Sequence, residues 1–279
     1  IVGVLLDHLE RETSALFATA DELNEEPAVV VEARAEVRPA VAEREDATKP
    51  VRYLSPDRAR FELLDKPISF DDRQAELHAL PLPLILVGCA GSGKTALTLT
   101  RLRQMTGDVL YVTQSAFLAE SAASLYFAHG YENADQIVDF LSFRKLLESV
   151  EVPKGRVVTA KDFRSFFDRH RNICGFTSAH MLFEELRGVL SAAPSGPLAR
   201  DEYLALGARQ SMYPTERRAA VYDVFAKYRS WLADTGLFDP SLLAHEYRPR
   251  AERRYDAVVV DEIQDLTNAE LALVLATLK

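Results

Sequence analysis

The chain has 279 residues, 48% of them apolar, and a net charge of −9. That length allows one large α/β domain with an inserted subdomain, or two domains, and that charge argues against a generally basic nucleic-acid binder. The longest apolar run, around Leu80 to Ala90, is broken by Pro81 and Pro83 and is too short to span a bilayer, and the two cysteines, Cys89 and Cys174, give neither a disulfide framework nor metal-ligand spacing, which fits a reducing, cytoplasmic setting.

In chain order, residues 1–26 read as helix, with Leu5, Leu6, Leu9, Leu16 and Leu23 near one face. Ala28 to Arg38 alternates in a way that suits either a half-exposed strand or a short helix. Pro39 to Pro50 is charged and alanine-rich, as in a linker or an exposed helix. Tyr53, Leu54, Phe61, Leu63 and Leu64 suggest that 51–69 packs on the domain C-terminal to it. Strands are predicted at Leu84–Val87, Val109–Thr113 and Ala257–Val260. Val157–Thr159 is either a short strand or the lead into a helix near Ala160. Helices are predicted at Lys94–Met105, Ala116–His129, Ile137–Ser149, Lys161–Arg171, Ala179–Leu190, Arg200–Leu206, Thr215–Ala233 and Asn268–Leu278. The pattern is α/β, a parallel sheet interrupted by a helical insertion over about 130–247.

Two segments carry chemistry. Gly88-Cys89-Ala90-Gly91-Ser92-Gly93-Lys94-Thr95 reads G-x-x-x-x-G-K-T between a predicted strand and a predicted helix. In that setting backbone N–H groups can wrap a polyphosphate, with glycines permitting close approach. Lys94 would reach the β- and γ-phosphates and the Thr95 hydroxyl would ligate Mg²⁺. Cys89 reads as a tolerated small residue there. The apolar run Tyr255–Val260 ends in Asp261-Glu262-Ile263-Gln264-Asp265. Carboxylates at the carboxyl end of a buried strand sit where open α/β sheets bind ligands. Asp261 is placed to hold Mg²⁺ and Glu262 to polarise a water for attack on the γ-phosphate. Asp265 and Thr267 also suit helix capping.

Together these segments resemble motifs I and II of the UvrD/Rep-type superfamily 1 DNA helicases; the D-E-[hydrophobic]-Q-D form is more specific than a generic acidic strand end. Phe70-Asp71-Asp72-Arg73-Gln74 resembles the motif that opens that domain, with Gln74 at the adenine position. Asp139-Phe140-Leu141-Ser142-Phe143 resembles T-F-H-S-F of motif Ib, and Tyr228 to Leu243 resembles the segment before the motif II strand. The resemblance covers Phe70 to Lys279 and implies a P-loop NTPase (RecA-like) ATP-binding domain, with 1–69 an extension of unknown role. It further implies ATP and Mg²⁺ as cofactors, single-stranded DNA as partner, a second motor domain in the same longer chain, and Gln264 relaying the γ-phosphate state. Four features depart from the pattern: Ala96 after Thr95, Asp139 and Leu141 in motif Ib, and only a vague motif Ia in Val112–Ala116. Motif III and later motifs are absent, and the chain opens on Ile1, so a fragment of a longer protein is expected.

Charge is uneven. Residues 1–69 hold 15 acidic and 9 basic side chains, whereas Arg144 to Arg171 holds eight cations against four acids, interleaved with Phe140, Phe143, Phe163, Phe166 and Phe167. That mixture suits a groove for single strands, with cations for phosphates and rings for bases. It equally suits a core beneath a solvated face, and Phe163, Phe166 and Phe167 share one helical face. Two rival functions stay open: a helicase-like ATPase switch in defence or signalling without unwinding, and a non-hydrolysing interaction module. Intact Lys94, Thr95, Asp261 and Glu262 count against the second.

Overall fold

The computed structural model describes residues 30–33, 80–88, 93–174 and 176–279. They divide into two compact units, one of 30–33, 80–88, 93–104 and 124–132, the other of 105–123, 133–174 and 176–279. The readings of 1–26, 39–50 and 51–69 lie outside the described residues.

In the first unit, β1 (Val30–Ala33) pairs in parallel with β2 (Ile85–Gly88), Val30 opposite Ile85 and Ala33 opposite Gly88. The alternating segment that suited either strand or helix is thus a strand at its centre. Helix α1 (Lys94–Leu102) buries Leu97, Leu99 and Leu102. It stops short of the expected Met105 because the Gln104 N–H turns back to the Arg101 carbonyl at 3.0 Å.

The second unit is built on a parallel sheet in which β3 (Gly107–Thr113) lies between β4 (Gln136–Ser142) and β7 (Ala257–Val260). The last five residues of β3 are all buried, the continuous apolar pattern expected of a strand covered on both faces. It pairs with β4 over seven residues and with β7 over four. Helix α2 (Ala116–Ala128) follows β3.

The segment Ile137–Ser149, expected to be one helix, is β4 followed by α3 (Phe143–Val150). Ser142 ends the strand and caps the helix, its hydroxyl accepting the Lys145 N–H at 3.3 Å. The helical spacing of Phe143, Leu146 and Leu147 had no visible start, and the strand before it contains enough apolar residues to mimic another turn. Those three side chains pack with Leu110 and Val112 of β3 and with two further helices, α8 (Pro240–Tyr247) and α9 (Asn268–Ala276). Helix α9 is buried on every side from Ala269 to Leu275, which explains its unbroken apolar sequence.

A second core is helical. It joins α4 (Ala160–Cys174), α5 (Ala179–Glu185), a π-helical turn (Leu186–Leu190), α6 (Arg200–Ala205) and α7 (Thr215–Thr235). Phe163 stacks on Phe183 at 4.6 Å between centroids and meets Tyr228 edge-on at 5.7 Å. Two ionic side chains lie inside. Arg218 is 1% exposed and donates to the carbonyls of Tyr213 at 3.1 Å and Gly207 at 2.9 Å, and also to Leu206. Glu185, fully buried, accepts from Tyr203 Oη at 2.7 Å and the Met212 N–H at 2.9 Å. Both satisfy the rule that a buried charge needs directed partners, and both tie the 206–213 loop to the helices.

Chain entry to and exit from this cluster are paired. Strand β5 (Arg156–Val157) lies parallel to β6 (Leu237–Phe238). The short-strand reading of Val157 holds for that residue, and Val158 and Thr159 lead into α4. Gly155 sits at φ 91°, and a Cβ there would lie 1.8 Å from the Gly236 carbonyl oxygen. Beyond β6, Asp239 caps α8 through the Ser241 N–H at 2.9 Å, with Pro240 at the first helical position. Asp239 is buried, accepts Tyr228 Oη at 3.0 Å and faces Arg187 Nε at 3.8 Å, an ionic approach too long for a hydrogen bond. On α8, His245 Nε2 meets the Ser191 carbonyl at 2.9 Å, so that nitrogen carries the proton.

This packing makes two outcomes measurable. Gly155→Ala meets both a left-handed backbone and a backbone clash, so it should lower stability by at least about 2 kcal/mol, read as a reduced urea midpoint at unchanged slope. Burial holds the His245 imidazole below its ordinary value. The unfolded chain therefore takes that proton more readily, and the stability present above about pH 6.5 is lost as pH falls below it. Burial raises Asp239 and Glu270, which act in the opposite sense, their destabilising effect growing as pH rises through their folded values. His245→Gln keeps a donor for Ser191, so it should lose less thermal stability than the parent between about pH 7 and pH 5.5; equal losses would show that His245 does not titrate with folding.

Candidate functional site

The glycine-rich segment begins where β2 ends, at Gly88. Gly93 takes φ 77°, ψ 15°, a left-handed conformation open to glycine at little cost, and its carbonyl accepts the Leu97 N–H at 2.9 Å. Lys94 and Thr95 are the first two residues of α1, and no acidic side chain lies in its first turn. A strand thus precedes the segment, and a helix opening on Gly93 follows it, in the order predicted. Gln74, Cys89, Ala90, Gly91 and Ser92 lie outside the described residues.

The acidic segment is defined in more detail. Strand β7 ends at Val260, and the Asp261 N–H still donates to the Val112 carbonyl at 3.0 Å, continuing the sheet for one residue. Asp261 is 8% exposed. Its Oδ2 accepts the Tyr111 hydroxyl at 2.6 Å, and its Oδ1 accepts the Glu262 N–H at 3.1 Å. The chain then turns sharply: Glu262 takes φ 52°, ψ 50°, a positive φ shown by no other non-glycine among the described residues. Residues Ile263–Asp265 form a 3₁₀ turn, in which the Asp265 N–H donates to the Glu262 carbonyl at 2.9 Å. Gln264 Nε2 donates to Glu262 Oε2 at 2.6 Å. Asp261, Glu262 and Gln264 are therefore brought together in one tight turn. Thr267 is the cap of α9 in a full capping box with Glu270, while Asp265 makes the turn rather than the cap.

Tyr111 was not legible as a site residue. It stands in the middle of β3, paired with Phe140 on one side and Val259 on the other, and is fully buried. Burial pushes its hydroxyl up, and the bond to Asp261 adds to that shift, so it stays a donor. The one available signal was chemical: a phenol inside a buried strand needs a polar partner. At the same strand end, Thr113 Oγ1 and Gln114 Oε1 are buried with no hydrogen-bond partner among the described residues.

The basic, aromatic segment resolves mainly as core. Phe143, Phe163, Phe166 and Phe167 are buried, and Phe140 packs on Tyr111 at 5.2 Å. Arg144 and Lys145 pair with Glu148, and Arg156 pairs with both oxygens of Asp162 at 2.6 Å. Arg156 and Asp162 line an open hollow of about 390 Å³ with Arg169 and Trp231. Asp139, at the motif Ib position, accepts Tyr255 Oη at 2.8 Å and pairs with Arg254 at 2.9 Å.

No group of three or more His, Cys, Asp or Glu side chains is placed to hold a metal ion among the described residues. The Asp261 carboxylate is a group of the type Mg²⁺ takes, since that cation is commonly bound through one or two carboxylates and completes its shell from water and substrate phosphate. No described helix is long and apolar enough to cross a membrane. No family model and no curated protein sequence matches the chain.

The Glu262 backbone gives a direct test of this geometry. A left-handed non-glycine costs about 1–2 kcal/mol. Glu262→Gly should therefore leave stability unchanged or raise it by up to about 1 kcal/mol, whereas Ile263→Gly should lower it. A clear loss for Glu262→Gly in chemical denaturation would mean that the Gln264 bond outweighs the backbone term.

Proposed function

We propose that this chain is the ATP-binding half of an ATP-dependent DNA translocase or helicase of the superfamily 1 type. The support is the pairing, in one sequence, of G-x-x-x-x-G-K-T after β2 with D-E-I-Q-D at the carboxyl end of β7. In this reading Gln74 contacts adenine, and the N–H groups of 88–95 cradle the phosphates. Lys94 neutralises charge on the β- and γ-phosphates, while Thr95 and Asp261 hold Mg²⁺. When bound, Mg²⁺ would supply positive charge that offsets the negative charge developing on the phosphate oxygens. Glu262 orients and deprotonates the attacking water. Gln264, hydrogen-bonded to Glu262, registers whether the γ-phosphate is present. Closure against a second motor domain of the same longer protein would turn each hydrolysis into movement along single-stranded DNA.

A second reading, an ATPase switch without unwinding, is favoured by one observation. Asp139 stands where the resembling family has threonine, and its carboxylate is engaged by Tyr255 and Arg254. Single-stranded DNA separates the two: it accelerates hydrolysis in a translocase and leaves it unchanged in such a switch.

Two variants of the full-length protein test the shared chemistry. Lys94→Ala should lose Mg²⁺–ATP binding. Glu262→Gln should bind ATP at near-parental affinity and hydrolyse it at least about 100-fold more slowly, because the phosphate cradle stays while the base is removed. Parental turnover in Glu262→Gln, measured as phosphate release, would remove Glu262 from the mechanism.

A further inference from the structure

Three observations about Asp261 converge on one residue outside both motifs. Its Oδ2 is held by a buried phenol at 2.6 Å, within the range of charge-assisted O–H···O⁻ bonds. That phenol cannot swing away: Tyr111 is fully buried, its backbone is hydrogen-bonded into strands on both sides, and its ring lies against Phe140. The second oxygen, Oδ1, is fixed by the Glu262 N–H at 3.1 Å. The carboxylate plane is thereby set by the sheet and by the turn rather than by a ligand. Each carboxylate oxygen offers about two acceptor positions, so the bonds from Tyr111 and Glu262 do not by themselves exhaust the group.

We propose that Tyr111 is a positioning residue for divalent-metal binding, acting through Asp261 to present a pre-oriented oxygen to the Mg²⁺ of a bound nucleotide. This rests on the nucleotide-binding reading of the site. Tyr111 touches neither phosphate nor water in this role. Partners that orient a ligating carboxylate typically matter by 10–100-fold in metal affinity or activity. Its effect therefore belongs to the metal dependence of binding and not to binding of the nucleotide itself.

Tyr111→Phe removes the hydroxyl and keeps the ring in its place against Phe140. Binding of a fluorescent ATP analogue to the full-length protein, titrated with Mg²⁺ and repeated in EDTA, separates the possibilities. The expected result is a Mg²⁺ half-saturation raised about tenfold, with the EDTA affinity unchanged. Adding Tyr111→Phe to Asp261→Asn should then produce no further change, because the carboxylate through which Tyr111 acts is already gone. If the parent binds the analogue in a Mg²⁺-dependent way and Tyr111→Phe shifts only the melting temperature, the hydroxyl is a core partner and the proposal is overturned while the nucleotide reading stands. If the parent shows no Mg²⁺-dependent binding, both are overturned.

Discussion

The burial of β3 between two parallel neighbours is the constraint on which the larger unit depends. Its five buried residues leave no polar side chain without consequence, and the strand accordingly spends its one central polar atom, the Tyr111 hydroxyl, on Asp261 of the adjoining strand end. Backbone pairing sets where β7 stops; the phenol sets how the carboxylate after it is turned. A polar group in such an interior is costly when unpartnered and strongly directional when paired. The same strand links the sheet to α3, α8 and α9 through Leu110 and Val112, so the position of Asp261 and the integrity of the core are one problem.

Around this strand the molecule shows two ways of holding charge inside protein. Arg218 is surrounded by peptide carbonyls, and Glu185 by the Tyr203 hydroxyl of α6 and the Met212 N–H of the loop that follows it. Asp239 instead lies between a helix end it caps, a tyrosine and a distant arginine. The first arrangement fixes a loop to helices; the second fixes the junction between the helical cluster and the helices covering the sheet. Neither involves the acidic turn, which separates the groups that hold the structure from those with chemistry to offer.

The strands at Val109–Thr113 and Ala257–Val260 were legible because Val109–Val112 and Ala257–Val260 are uninterrupted apolar runs. Strand β4 was not, because Gln136 and Asp139 break its apolar pattern and the helix beyond Ser142 shares its composition. Helix α8 was missed although Asp239-Pro240 is a cap followed by a favoured first residue. Its apolar positions are few, and periodicity is silent over two turns. The acidic turn was readable from residue types alone, and the structure adds the left-handed Glu262 that brings Gln264 back onto it. Tyr111 escaped because its role depends on which strand lies beside β3, and pairing between segments some 150 residues apart leaves no local trace. The phenylalanines of 140–167 illustrate the converse: composition suggested a ligand surface, and helical spacing, which favoured a core, was the better guide.

The pairing of β5 with β6 has a wider consequence. Arg156 lies opposite Leu237 and Val157 opposite Phe238, so the polypeptide departs from and rejoins the sheet-bearing body at a single doorway. The detour is not closed at that door alone: the Ala192 carbonyl accepts the Ala269 N–H at 2.9 Å and the Ser191 carbonyl meets His245 Nε2 at 2.9 Å, so its contents also bear on the helices that cover the sheet. An exchange of that bundle for another would therefore have to reproduce the 191–192 contacts as well as the strand pair for the acidic turn downstream to stay where it is.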